Sequence, residues 1–339
     1  MEGKHMRNLW KLTSLTLTLA MLLALTACGG SGAQTEPSTD ASAADDSSYT
    51  IGICQLVQHA AHDDATQGFM DALNETLPNQ VTFINQVASN DIAACSGIVN
   101  QFIAEEVDLI LANATPALQI ASAATGDIPI LGTSVTEYGA ALGIEDFHGT
   151  VGGNISGTSD LAPIDAQAAM VREWFPDAKT IGMLYCSAEI NSEYQITEVQ
   201  TLLEDMGYTC KDYSFTESND LPLVLESAIA NCDVLFVPTD NTVAANSSII
   251  DNYCRPAGIP VIGGDLGICS GCGVATLCIT YYDLGYATGK MAAQILTGEA
   301  DIATMPIAYA DASSVYNVAI CEELGLTPPS DAYAPINDV

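Results

Sequence analysis

The chain has 339 residues and is strongly acidic: 42 Asp and Glu stand against 8 Lys and Arg, a formal net charge of −34 at pH 7. Nucleic acids and anionic membrane surfaces are bound through clustered cations, so this balance argues against both as partners. Because 48% of the residues are hydrophobic, the chain is also not a disordered acidic segment.

The N-terminus has the pattern of an export signal. Three basic residues precede a short apolar run over residues 12–24, which leads to a Leu-Thr-Ala-Cys tetrapeptide that ends at Cys28. This order is typical of a secretory signal, and the tetrapeptide matches the bacterial lipobox, in which the cysteine is lipidated. The run is short for a membrane span, and a retained signal anchor is the alternative.

We therefore predict a lipoprotein signal peptide over residues 1–27. The protein is then extracytoplasmic, and Cys28 anchors it to the outer face of the bacterial cytoplasmic membrane. Residues 28–48 are rich in Gly, Ser, Ala, Thr and Asp, a composition that predicts a disordered tether.

After the tether, apolar runs alternate with helical periods in two series, and a Gly-rich stretch separates the series. Strands of the first series are predicted over residues 49–57, 81–87, 107–112 and 128–131. Strands of the second are predicted over residues 180–185, 208–213, 233–237, 259–262 and 273–279. Amphipathic helices lie between the strands, including one over residues 242–253. Continuous apolar strands that alternate with helices predict parallel sheets covered on both faces.

The predicted fold is α/β, with two doubly wound parallel-sheet lobes joined by a multi-strand hinge. A late helix and two short apolar runs return to complete the lobes, which are predicted as residues 49–158 with 281–308, and 159–280 with 309–339. In open α/β sheets, ligands bind outside the carboxyl ends of the strands. Two lobes that face each other across a hinge would place both sets of strand ends in one cleft.

Polar residues follow most of the predicted strands, where this cleft should lie. Hydroxyls and helix N-termini suit a carboxylate, and Asp and Glu suit an ammonium, so the loops predict a zwitterion site that needs no Arg. Thr115, Ser192 and Asp240 are also residue types that cap helices, so a structural role is the alternative for each. The candidates are His59, Asp63, Thr115, Pro116, Ser159, Asp160, Glu189, Asn191, Ser192, Asp240, Asn241 and Asp265.

Ten cysteines follow Cys28, and among them Cys269 and Cys272 are spaced like a local pair. A loop disulfide between these two is the leading interpretation, with free thiols as the alternative and metal or redox chemistry as a weaker one.

Catalytic and cofactor motifs do not occur in the sequence. The glycine patterns at residues 149–153 and 264–267 lack the Lys of a phosphate-binding loop and the order of a dinucleotide fingerprint. There is no nucleophile elbow. The His59 and His62 pair has no third metal ligand in clear register. We expect no metal, no cofactor and no enzymatic activity.

The chain resembles the ABC transporter substrate-binding proteins of the tryptophan/tyrosine-type group, which have the type I periplasmic-binding-protein fold. The resemblance runs from about residue 49 to residue 326. Its pieces, in order, are Ile51-Gly52-Ile53 with His59 and Asp63, Ala114-Thr115-Pro116-Ala117, Gly157-Thr158-Ser159-Asp160, Pro238-Thr239-Asp240-Asn241-Thr242, and Tyr281-Tyr282-Asp283-Leu284-Gly285. The chain departs from the family at Ala60, at His62 and at Cys186-Ser187-Ala188, which flank the cleft.

The resemblance implies capture of an aromatic or similar amino acid and its delivery to a membrane permease with an ATPase. We expect a monomer that closes on its ligand. The ligand's carboxylate would meet Thr115, Ser159 or Ser192, and its ammonium would meet Asp160, Asp240 or Asp265; His59 and Asp63 would line the side-chain pocket. Binding of a sugar or nucleoside by the same fold, or a sensor subunit of a signalling system, are the alternatives.

Overall fold

The fold comes from a computed structural model, in which residues 48–336 are described. The predicted signal peptide, most of the tether and the lipidation site Cys28 lie outside this range. Within it, no helix has the length and apolar character needed to cross a membrane.

The strands within this range belong to two sheets. They are β1 (Tyr49–Gln55), β2 (Val81–Val87), β3 (Leu109–Asn113), β4 (Ile130–Val135), β5 (Ile155–Ser159), β6 (Thr180–Cys186), β7 (Thr209–Phe215), β8 (Val234–Val237), β9 (Val261–Gly263), β10 (Ala275–Cys278), β11 (Ala308–Tyr309), β12 (Ser313–Asn317) and β13 (Ala334–Ile336).

The helices lie between the strands, as the alternating pattern predicts. They are α1 (Ala60–Thr76), α2 (Ile92–Ala104), α3 (Thr115–Ala124), α4 (Tyr138–Leu142), α5 (Ile164–Trp174), α6 (Ile190–Asp205), α7 (Leu221–Ile229), α8 (Asn241–Ala245), α9 (Ser247–Ala257), α10 (Leu266–Gly271), α11 (Tyr281–Leu296) and α12 (Val318–Leu324).

The first sheet has the order β11-β5-β4-β3-β1-β2, and all of its pairs are parallel. The second has the order β13-β12-β10-β9-β8-β6-β7, in which only the β10–β12 pair is antiparallel. Central strands such as β3 are buried along their whole length, because helices cover both faces of each sheet. The prediction of two doubly wound α/β lobes is confirmed.

Between residues 48 and 336 the chain crosses from one lobe to the other three times. The crossings follow β5, β10 and β11, each over a few residues. The middle crossing brings α11 back to the first lobe, where it packs against α1. Three adjacent connections are the multi-strand hinge that the sequence predicts.

The α1–α11 contact is close because glycines line it. A side chain at Gly285 would collide with the carbonyl oxygen of Ala65, and one at Gly68 would collide with that of Tyr282. Only glycine lets the two backbones approach this far. The contact fixes the start of α1, and therefore the loop after β1, against the hinge.

One predicted helix is wrong in its extent. The helix predicted over residues 242–253 is divided into α8 and α9 at Asn246, which has a φ of −123° and a ψ of 19°. The Asn246 side chain donates to the carbonyl oxygen of Thr242, a bond that competes with helix continuation.

Candidate functional site

Loops at the carboxyl ends of strands from both lobes meet around a small cavity, which we call the inner chamber. The first lobe contributes residues after β1, β4 and β5, and the second contributes residues after β6, β8 and β9. The inner chamber has a volume of about 10 Å³, roughly the room of one water molecule. It is lined by His59, His62, Ser134, Thr136, Asp160, Asn191, Thr239, Asp240, Asn241, Ala244, Asp265 and Tyr281.

Half of the residues predicted for the site line the inner chamber. These are His59, Asp160, Asn191, Asp240, Asn241 and Asp265. The other six predicted residues do not line it: Asp63, Thr115, Pro116, Ser159, Glu189 and Ser192. The sequence prediction did not include His62, Ser134, Thr136, Thr239, Ala244 or Tyr281.

Three of the residues outside the chamber shape the first lobe instead. Asp63 is exposed and accepts a hydrogen bond from the Gln55 amide at 2.7 Å. The Ser159 hydroxyl donates to the backbone carbonyl of Thr136 at 2.7 Å. Thr115 is not an N-cap as predicted: Ala114, with a φ of 104°, precedes α3, and Thr115 is the helix's first residue.

Glu189 organises the second lobe from a buried position. Its Oε2 accepts from the backbone N–H of Asn241 at 3.0 Å, and its Oε1 accepts from the backbone N–H of Thr242 at 2.9 Å. The side chains of Asn241 and Thr242 also donate to it, at 2.7 Å each. Glu189 therefore holds the N-terminal turn of α8, where a carboxylate meets the positive end of the helix dipole.

Asp240 has a similar structural role although it reaches the inner chamber. Its Oδ1 accepts from the Val243 N–H at 2.8 Å and so caps α8. Its Oδ2 accepts from the Cys186 N–H at 2.7 Å and from the Ser192 hydroxyl at 2.8 Å. Both carboxylate oxygens of Asp240, and the Ser192 hydroxyl, are thus used within the protein.

Four polar atoms around the inner chamber are buried and have no hydrogen-bond partner among residues 48–336. They are His59 Nε2, Ser134 Oγ, Asp160 Oδ1 and Asn191 Oδ1. Buried polar groups are nearly always hydrogen-bonded, so such atoms indicate where a ligand binds. Asp160 and Asn191 offer acceptors, whereas Ser134 and His59 can donate.

Burial sets the electrostatics of this site. It raises the pKa of Asp160 to about 6, although bonds from Tyr281 and Thr136 oppose the rise. It raises the pKa of Asp265 to about 7. Burial also lowers the pKa of His59 to about 4 and that of His62 well below its usual value, so both imidazoles are neutral near pH 7. In the described part of the chain no Lys or Arg lines the inner chamber, so a cationic group is favoured there.

A larger space, which we call the outer groove, adjoins the inner chamber. It has a volume of about 390 Å³ and is lined by His59, Ala60, Ala61, Asp64, Ala244, Ser247, Leu266, Gly267, Ser270, Gly271, Thr280 and Tyr281. His59, Ala244 and Tyr281 line both spaces. Three alanines, two glycines and Leu266 make half of the lining of the outer groove.

The predicted disulfide between Cys269 and Cys272 is not present. Both cysteines are buried free thiols. Cys269 lies within helix α10 rather than in a loop, and its thiol donates to the Gly273 carbonyl, whereas the Cys272 thiol donates to the Ile268 carbonyl. The part of the chain from 48 to 336 has no group of three His, Cys, Asp or Glu side chains that could hold a metal ion.

The family profile described as "ABC transporter substrate binding protein" matches residues 50–334. The chain belongs to this family. The match covers every residue of the inner chamber, and the family is one of binding proteins rather than enzymes. The resemblance to ABC substrate-binding proteins that the sequence predicts is confirmed.

This substrate-binding protein is similar to proteins with named ligands. It is 33% identical over 271 residues, 78% of its length and 77% of the relative's, to the tyrosine-binding protein of Clostridioides difficile strain R20291. A Streptococcus pneumonia ABC domain in complex with L-Trp matches with a TM-score of 0.80 and 30% identity, over 84% of this chain and 97% of that one.

A third relative is an adhesive substrate-binding protein from Clostridium difficile in a ligand-free, open structure. It matches with a TM-score of 0.66 and 34% identity, over 86% of this chain and all of that one. Of these two solved structures, the open one has the sequence more similar to this chain. Its backbone nevertheless superposes less well on this chain than that of the L-Trp complex.

Proposed function

We propose that this protein captures an aromatic α-amino acid between its two lobes and delivers it to an ABC importer. The observation that carries the proposal is the set of four unpartnered polar atoms in the inner chamber. They are two acceptors and two groups able to donate, which is the complement of one ammonium and one carboxylate.

The ammonium would bind Asp160 Oδ1 and Asn191 Oδ1. The Asn191 oxygen is oriented by its own amide nitrogen, which donates to the Thr239 carbonyl at 2.9 Å. The carboxylate would accept from the Ser134 hydroxyl and from His59 Nε2. In this assignment, Ser134 and His59 take the place of Thr115, Ser159 and Ser192 as carboxylate ligands. Of the three predicted ammonium ligands, only Asp160 is retained.

The ligand's side chain would extend past His59 and Tyr281 into the outer groove. A volume of about 390 Å³ lies within the range of small-molecule sites. The tyrosine-binding relative and the L-Trp complex support an aromatic side chain. Leu266 and the alanines offer it apolar contact.

Capture would require the lobes to open and close about the three-stranded hinge. A volume of about 10 Å³ does not admit an amino acid, so the ligand would enter while the lobes are apart, and the chamber that holds it would be wider than the one in this structure. Two observations support a closed form in this structure. The fold matches the L-Trp complex better than the open, ligand-free relative, and the Asn90 amide of the first lobe donates to the Thr242 hydroxyl of the second at 3.3 Å.

We also propose that the protein acts as a monomer outside the cytoplasm, held to the membrane by a lipid on Cys28. The export signal and lipobox of residues 1–28 support this location. A permease and its ATPase are the partners expected for the family. Deletion of the gene for that permease should abolish uptake of the ligand but leave its binding by the purified protein unchanged; normal uptake in that strain would argue for a sensory role.

A thermal-shift screen against amino acids, sugars and nucleosides tests the binding function. Ligand at 100 times its dissociation constant adds about 2.7 kcal/mol of stability, which raises the Tm by several degrees. We expect shifts with tyrosine, tryptophan or phenylalanine. Asp160→Asn should remove the shift, whereas Asp63→Asn, a matched change outside the chamber, should keep it. Shifts with sugars or nucleosides alone would contradict the proposed ligand.

A further inference from the structure

Two buried thiols in the first lobe lie in contact. Cys54 is the next-to-last residue of β1, Cys95 lies in the first turns of α2, and their sulfur atoms are 3.2 Å apart. Both side chains are fully buried. By contrast, the thiols of Cys186, Cys269, Cys272 and Cys321 donate to backbone carbonyls.

We propose that Cys54 and Cys95 form an intramolecular disulfide that fastens α2 to β1. A separation of 3.2 Å has to close to the bond length of about 2.05 Å, a movement within the reach of side-chain rotation. The hydrogen bond from the Cys54 thiol lowers the pKa of Cys95, while the same bond and burial raise the pKa of Cys54, so Cys95 is the thiol that reacts first, as the thiolate.

Formation of the bond needs an oxidant, and an organic disulfide supplies it by thiol–disulfide exchange. The Cys95 thiolate attacks one sulfur of the organic disulfide and releases the first thiol. The Cys54 thiolate then attacks the Cys95 sulfur of the mixed disulfide and releases the second. Two S–H bonds are lost and one S–S bond forms, and the two electrons and two protons pass to the organic disulfide.

Access to Cys95 comes through the N-terminal turn of α2. Asp91, Ile92, Ala93 and Ala94 immediately before it are all exposed. The exchange therefore proceeds while the chain folds, or when this turn frays, and it is slow once α2 has docked. An exported protein meets organic disulfides during folding, but the chemistry depends only on the two sulfurs and is independent of the ligand.

The bond would close a loop that contains α1 and β2. This segment includes His59 and His62, so a disulfide would tie both ends of the segment that carries the imidazoles of the inner chamber. Cross-linking a loop of this size restricts the unfolded chain and stabilises the fold. We expect reduction to lower the Tm by about 5 °C or more.

Peptide mapping tests the proposal. The full chain is refolded with oxidised and reduced glutathione, denatured, alkylated without reductant and digested with a protease specific for Asp and Glu. We expect the Cys54 peptide joined to the Cys95 peptide. Cys254→Ala, a buried thiol of the second lobe, should retain the link and its Tm change. The Cys54→Ala and Cys95→Ala variants should each lose the cross-linked peptide and the change in Tm on reduction.

Alkylation of both Cys54 and Cys95 in the wild-type chain after refolding would overturn the proposal. Linkage of either residue to a different cysteine would overturn it equally. The peptide map of the wild-type chain tests the proposal by itself, even where a variant fails to fold.

Discussion

The Tyr281 hydroxyl donates to Asp160 Oδ2 at 2.9 Å, although the two residues are 121 positions apart. Asp160 follows β5 at the first crossing between the lobes, and Tyr281 opens α11 just after the second. The bond ties two strands of the hinge together and leaves Asp160 Oδ1 facing the inner chamber. It therefore couples the hinge to the proposed ammonium site.

Loss of this bond should weaken ligand binding. Tyr281→Phe removes a hydrogen bond to a carboxylate, worth about 1.5–3 kcal/mol, and removes an influence that lowers the pKa of Asp160. We expect about tenfold weaker binding or more by titration calorimetry at pH 7. Tyr282→Phe is the matched control, because the exposed Tyr282 hydroxyl donates to Asp71 outside the cleft. Equal losses in both variants would contradict the role of Tyr281.

Ligand affinity should fall in acid. An ammonium pairs with the ionised form of Asp160, whose pKa is about 6 in this structure because of burial, so binding requires release of a proton below that pH. We expect affinity to decline from pH 7 to pH 5, by up to about tenfold per unit below 6. Asp265, with a pKa of about 7, adds to the decline, and His59 titrates only near 4.

Calorimetric titrations from pH 5 to pH 8 measure this dependence. Asp160→Asn should bind weakly at pH 8 and show a flatter profile than the wild type. The same slope in both proteins would rule out Asp160 as the titrating group.

The ligand-free protein should lose stability as Asp265 ionises. Its pKa in the folded state is about 7, above the value of about 3.9 in an unfolded chain. The contribution of the protonated form is therefore complete below about pH 4 and is lost as pH rises through 7. Asp265→Asn keeps the cap on α10, since Asn is also a good N-cap, but does not titrate.

Urea denaturation at pH 4.5, 6 and 7.5 compares the two proteins. The unfolding free energy of the wild type should decrease relative to Asp265→Asn by up to about 1.4 kcal/mol per pH unit. A difference that does not change with pH would show that Asp265 titrates normally.

Substitution of Asp240 should lower the stability of the fold, because both of its carboxylate oxygens are used within the protein. The sequence analysis gives Asp240 as a candidate ammonium ligand, for which Asp240→Ala would weaken binding and leave the fold intact. In the structure, however, its oxygens accept from Val243, Cys186 and Ser192. We expect Asp240→Ala to lower the unfolding free energy by about 2 kcal/mol or more, from the lost cap and the unpaired donors. Glu226→Ala, at an exposed position of α7, should change it by less than about 0.5 kcal/mol. Unchanged stability of Asp240→Ala would contradict the scaffold role.

The contact between α1 and α11 predicts opposite effects for two glycine substitutions. Gly285→Ala would drive a methyl group into the Ala65 backbone, and overpacking of this kind costs about 1–3 kcal/mol. Gly97 in α2 has open space around it, so Gly97→Ala should stabilise the protein by about 0.5–1 kcal/mol. Denaturation midpoints of the two variants should therefore move in opposite directions.

The fold could be predicted because its signals are local. A continuous apolar run such as that of β3 predicts a buried strand, and apolar residues every four positions, as at Ala65, Phe69 and Leu73, predict helix α1. The alternation of the two patterns predicts the lobes. The order in which α11 returns to the first lobe was only inferred, since it depends on glycine contacts with α1 that no periodicity reveals.

The site could be predicted only in part, because strand ends locate loops but not side-chain directions. Ser134 and Thr136 were missed because β4 extends to Val135, four residues beyond its predicted end. Tyr281 closely follows the strand predicted over residues 273–279, so the strand-end rule could have found it. Glu189 and Ser192 were included although they turn toward the α8 terminus. The prediction of a loop disulfide between Cys269 and Cys272 is wrong because Cys269 lies in helix α10.

The most direct test of the account compares three ligands of one shape by titration calorimetry: L-tyrosine, tyramine, which lacks the carboxylate, and 3-(4-hydroxyphenyl)propionate, which lacks the ammonium. If the four unpartnered atoms hold a zwitterion, L-tyrosine binds and each analogue binds about 100-fold more weakly or not at all, a loss of about 2.7 kcal/mol. If either analogue binds as tightly as L-tyrosine, the proposed zwitterion site is wrong.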